Sequence, residues 1–70
     1  MRSEYTAIVK QDGKWWIGWI EEVPGVNCQE ESQHELTLSL HEALKEQIEF
    51  NRKDARASAG DDFAEIKIAV

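Results

Sequence analysis

One long amphipathic helix, announced by a start signal, limits what this chain can build. Ser32-Gln33-His34-Glu35 has the spacing of a capping box, in which the Ser32 hydroxyl accepts from the Glu35 N–H and the Glu35 carboxylate reaches back to the Ser32 N–H. Leu36, Leu40, Ala43, Leu44, Gln47 and Ile48 then recur at helical spacing. The pattern predicts a helix from Gln33 to somewhere between Arg52 and Ser58, ended by Gly60. Acids lie early (Glu35, Glu42) and bases late (Arg52, Lys53, Arg56), as the helix macrodipole favours. A single helix covers only one face of a sheet, so any sheet in this chain keeps its other face open.

The sheet is legible on both sides of that helix. Residues 4–10 and 15–22 read as strands, and Asp12-Gly13 between them suits a two-residue type I′ turn. Val23-Pro24-Gly25-Val26 reads as a type II turn, with Pro24 setting φ and Gly25 taking a positive φ. A short third strand follows, about Val26 to Gln29, and the alternating run Phe63–Val70 reads as a last strand. The expected fold is α+β, in the order β-β-β-α-β. It is an antiparallel three-stranded meander plus one long helix and a final strand, with the helix on one face and a right-handed crossover to the last strand.

With Asp12-Gly13 as the turn, Lys10 opposes Trp15, Ile8 opposes Ile17 and Thr6 opposes Trp19. One face then carries Tyr5, Ala7, Val9, Trp16, Gly18 and Ile20, and suits the helix because Ala7 and Gly18 leave a trough. The other carries Thr6, Ile8, Lys10, Trp15, Ile17 and Trp19. An open face holding Ile8, Trp15, Ile17 and Trp19 is expected to be an interface, with a partner or a second copy. The alternative is that these side chains pack beneath one another and beneath neighbouring long chains. A one-residue slip of register would exchange the two faces.

Size and charge narrow the function. Seventy residues make one domain, 1–70, that is marginal alone, so association is expected. Fourteen acids against eight bases give a net charge of −6, which argues against nucleic acid as the main partner and permits a basic protein. A lone cysteine makes no internal disulfide and points to a reducing, cytoplasmic setting. No signal-peptide core follows Met1, and no apolar run approaches the ~20 residues of a membrane span.

Chemistry is sparse. His34 and His41 lie seven apart on the helix, roughly 10 Å along its axis, too far to share one metal ion. Cys28 reads as a small, partly buried hydrophobe rather than a nucleophile. Glu21, Glu22, Glu30, Glu31 and Glu35 flank the turn, the third strand and the helix start, and read as a solvated acidic rim that a basic partner can recognise. Metal-dependent nucleases need carboxylates converging from strand centres, and the central strands here carry none. No catalytic residue, metal site or cofactor is expected, and the chain is expected not to be an enzyme.

Taken together, Tyr5-x-Ala7-x-Val9, Asp12-Gly13, Trp15-Trp16-Ile17, Glu22-Val23-Pro24-Gly25-Val26, Ser32-x-x-Glu35 and Glu42-Ala43-Leu44 resemble the HicB-like antitoxin family over about residues 4–50. Glu21, Glu30 and Leu36 depart from that family's usual proline, glycine and alanine. The resemblance implies a partial RNase H-like fold without catalytic carboxylates. It also implies an antitoxin that binds and sterically occludes HicA, a small basic mRNA-cleaving toxin. Many family members carry an additional C-terminal DNA-binding domain, and none is expected in this chain, so DNA binding by it is not expected. On this reading Glu21, Glu22, Glu30, Glu31 and Glu35 steer the partner, and Ile8, Trp15, Ile17 and Trp19 supply apolar contact. Two other readings stand beside it. One is a solitary homo-oligomeric regulatory or scaffolding module, dimeric or larger, with no toxin. The other is a degenerate RNase H-type nuclease.

Overall fold

A computed structural model describes residues 4–70. Its elements are β1 (Ala7–Asp12), β2 (Trp15–Ile20), β3 (Asn27–Glu30) and α1 (Gln33–Ala59). The strands form one antiparallel sheet in the order β1-β2-β3, with α1 laid on one face. The class is therefore α+β, with the expected meander and single helix in the expected order; the first strand, read as 4–10, runs later at Ala7–Asp12, and the second, read as 15–22, ends at Ile20.

The hairpin turn differs from expectation by one position. Ala7 pairs with Ile20, Ile8 with Trp19, Val9 with Gly18 and Asp12 with Trp15, so the two turn residues are Gly13 and Lys14. Gly13 has φ +63°, and among the described residues no non-glycine residue has positive φ. That is the φ pattern of a type II′ turn, which asks for glycine at its first central position. A type I′ turn at Asp12-Gly13 would force Asp12 into the left-handed region, which costs a residue with a Cβ. Moving the turn by one residue slides the pairing by two. Two is the period of the pleat, so every side chain keeps its face.

The helix therefore sits where the apolar trough predicts. Ile20, Val26, Leu36 and Leu40 are buried, and Tyr5, Val9, Trp16, Val23, Cys28, Ala43 and Leu44 pack around them. Gly18 permits the close approach. A Cβ built there lies 3.1 Å from Leu40 Cδ1 and 2.9 Å from the Ile8 carbonyl oxygen. Gly25 takes φ +92° after Pro24, as the second turn requires, and the Ile20 N–H donates across it to the Val26 carbonyl at 3.1 Å. The helix opens on its cap, with Ser32 Oγ accepting from the Glu35 N–H at 3.1 Å. It closes at Gly60, whose φ is +84° and whose N–H donates to the Arg56 carbonyl at 3.2 Å.

Two expectations fail at the C-terminal end. The helix runs to Ala59, beyond the range read from the periodicity, and residues 63–70 form no strand. The expected final strand and its right-handed crossover are thus absent among the described residues. The two corrections have one cause. Twenty-seven helical residues span about 40 Å, whereas a six-residue strand spans roughly 20 Å. The helix overshoots the sheet, and from residue 49 onward every residue but Arg52 is exposed up to the C-terminus. The chain leaves the helix at Gly60 well away from any strand edge. Alternating apolar residues make a strand only where an edge is within reach.

Candidate functional site

The open face of the sheet is built by the pleat. Ile8, Lys10 and Asp12 on β1 share it with Trp15, Ile17 and Trp19 on β2, while α1 occupies the opposite side. Ile8 and Trp19 are direct cross-strand partners, 39% and 41% exposed. Trp15 and Ile17 are half-buried on the same face, and the Lys14 ammonium lies 5.5 Å from the Trp15 ring centroid. The four apolar residues read from the sequence thus form one surface. Its Ile8–Trp19 pair is exposed, and Ile17 and Trp15 continue it along β2, opposite Lys10 and Asp12. On β3 the same alternation turns Asn27 and Gln29 to this face, giving it a polar border.

The five carboxylates do not form one rim. Glu21 and Glu22 follow β2 at one end of the sheet, while Glu30, Glu31 and Glu35 gather where β3 passes into α1 at the other. Glu30 pairs with Trp16, five strand steps from Glu21, so the two groups stand roughly 17 Å apart. Their environments also differ. Glu21, Glu31 and Glu35 are exposed. Glu22 is half-buried and its Oε1 accepts from the Thr6 N–H at 2.7 Å, fastening the segment before β1 to the one after β2. Glu30 is half-buried on the helix side and accepts from Ser39 Oγ, linking β3 to α1. Two of the five therefore hold the fold together. The sequence pattern gave no sign of this, because both partners are distant in the chain.

Residues with chemical potential are dispersed. Among the described residues no three His, Cys, Asp or Glu side chains come together as a metal site. His34 and His41 are both exposed on α1, and His41 borders a cleft beside β1. Cys28 is half-buried against the core on the helix side, as its apolar reading expects. Burial raises its thiol pKa, and the Glu30 carboxylate raises it further, so it is held as a thiol and not as a nucleophilic thiolate. Among the described residues no helix is long and apolar enough to cross a membrane.

Two clefts flank the helix where it crosses the sheet. One, of about 360 Å³, lies on the β1 side between Tyr5, Ala7 and Ile20 and the helix residues Leu40, Leu44 and Ile48. The other, of about 380 Å³, lies on the β3 side between Gly25, Val26 and Asn27 and the helix residues Ala43, Gln47 and Phe50. Both are shallow grooves along the sheet edges and not enclosed pockets for a small molecule. No family model matches this chain, and neither a curated protein nor a solved structure matches it.

Proposed function

We propose that this chain is a non-catalytic protein-binding module of antitoxin type, which covers the RNA-binding surface of a small basic HicA-type mRNA-cleaving toxin. The observation that carries the reading is the sheet face without a helix. It presents Ile8 and Trp19 side by side, with half-buried Ile17 and Trp15 further along the same strand, and carboxylates stand at both ends of the sheet. Tryptophan on an open face supplies much contact area at low entropic cost, and flanking acids raise the encounter rate of a basic partner. Occlusion of this kind needs no catalytic group, metal or cofactor. The nature of the partner, and the partial RNase H-like relationship of the fold, rest on the motif resemblance described above.

The test is a pull-down with the full chain from lysate of its source, at low and high salt, with mass spectrometry of what elutes. A small basic protein is expected, lost as rising salt screens the exposed acids. The eluted protein is expected to cleave mRNA, and added chain is expected to stop it. In the same assay Trp19→Ala is expected to weaken association by more than ~1 kcal/mol, roughly fivefold or more in Kd. Recovery of this chain alone would refute the toxin reading. It would leave the homo-oligomeric module, which the exposed C-terminal segment favours.

A further inference from the structure

The C-terminal segment and the β1 edge each lack what the other offers. Phe63, Ile66 and Ile68 are 44%, 80% and 82% exposed, so the alternating run that resembles a strand is spent on solvent. β1 is an edge of the sheet. The Glu21 N–H donates to the Thr6 carbonyl, which sets the parity of the ladder and turns the N–H and C=O groups of Ala7, Val9 and Gln11 outward. Beside that edge runs the cleft floored by Ile20, Leu40, Leu44 and Ile48. A strand laid against β1 would send every second side chain into this cleft. Ile66, Ile68 and Val70 are spaced to enter it.

Within its own chain the segment would bring only its last few residues to that seat. Gly60 lies about 18 Å along the helix beyond Ile48, and ten extended residues cover about 33 Å, so doubling back would use more than half of them before the cleft begins. Instead the segment rests at the far end of the helix. There Glu65 Oε1 accepts from Arg56 Nε at 2.8 Å across an exposed ion pair, a weak hold. We propose that two copies of this chain exchange these segments. Residues 63–70 of each run as a fourth strand along the β1 edge of the other, with Ile66, Ile68 and Val70 in the cleft. Charge selects this edge over β3. The segment from Asp61 onward carries three carboxylates and one lysine; the cleft beside β1 is bordered by Lys45 and His41 and by no carboxylate, Lys10 and Asp12 offset each other on the strand itself, and the groove beside β3 is bordered by Glu46. β1 is also the longer edge, six residues against four. Reciprocal exchange about a two-fold axis leaves neither segment unpaired and closes the assembly at two copies. The pairing is independent of the toxin reading, because it uses the sheet edge and the helix-side cleft and leaves the open face free.

Light scattering on the full chain at high micromolar concentration tests it. The expected mass is twice 8.0 kDa. Ile68→Asp, which alters a side chain exposed in the single chain, is expected to raise the dissociation constant at least tenfold with an unchanged circular dichroism spectrum. Trp19→Ala is expected to leave the pair intact. In a mixture of isotope-labelled and unlabelled chains, intermolecular NOEs are expected between the Ile66 and Ile68 methyls and Leu44 or Ile48. A wild-type chain that stays at single mass overturns the proposal. So does an assembly indifferent to Ile68→Asp, or one whose tail contacts are all within one chain.

Discussion

Adding one methyl group at Gly18 tests the account of how helix and sheet meet. Gly18 is buried on the central strand, and a Cβ there would lie 2.9 Å from the Ile8 carbonyl oxygen and 3.1 Å from both Leu40 Cδ1 and Val9 Cγ1. The carbonyl belongs to the backbone of the neighbouring strand and cannot swing aside as a side chain would. Overpacking of this sort costs about 1–3 kcal/mol. Replacing glycine also restricts the unfolded chain, which returns about 0.4–1 kcal/mol. Gly18→Ala should therefore destabilise by about 1–2 kcal/mol net. At ~4–8 °C per kcal/mol for a domain of this size, the expected fall in Tm is roughly 5–15 °C. A total stability near 3–10 kcal/mol leaves the variant folded and measurable by urea titration. Pairing it with Leu40→Val apportions the clash. If Leu40 carried most of it, the double variant would recover much of the loss, whereas a clash dominated by the Ile8 carbonyl gives near-additive losses. A Gly18→Ala chain as stable as the wild type or more so would refute the close approach, and with it the seat of the helix.

Two further outcomes follow from local geometry. Ser32→Ala removes the acceptor for the Glu35 N–H and should cost about 1 kcal/mol in urea titration, whereas Ser32→Asp should cost little. The Cys28 thiol has a pKa raised in the folded chain, so its contribution to stability is complete below the unfolded value and is lost as pH rises toward the folded one. Stability should thus decline through the mildly alkaline range. Cys28→Val should flatten that decline, and a thiol reagent should modify Cys28 more slowly in the native chain than in urea.

Legibility from sequence tracked how local each signal is. The helix start lies within four residues, Ser32 to Glu35, and its geometry follows from them alone. The Pro24-Gly25 turn is equally local. The hairpin register was harder, because Asp12-Gly13 and Gly13-Lys14 both accept a tight turn, and only the cost of a left-handed Asp12 separates them. The face assignment survived because the difference was even. The third strand, read as Val26 to Gln29, lies one residue later, at Asn27–Glu30. The last strand does not form because alternation in 63–70 records a preference for pairing and carries no information about the distance to an edge. That distance depends on where the helix ends, and Ala55, Ala57 and Ala59 sustain the helix until Gly60. At the candidate site the clustering of Ile8, Trp15, Ile17 and Trp19 was legible from the pleat. The division of the acids was not. Glu22 and Glu30 owe their places to Thr6 and Ser39, partners sixteen and nine residues away.

The overshooting helix also governs how this molecule diffuses. Its radius of gyration is 15.1 Å and its extents are 50 × 23 × 15 Å. A compact chain of 70 residues would have a radius near 11 Å, and one of 15 Å would hold about 160 residues. A sizing column reads hydrodynamic size, which also rises with elongation though less steeply, so the lone chain would elute ahead of a compact protein of its own mass. Elution volume by itself would overstate the mass of the chain, so stoichiometry has to come from a measurement blind to shape.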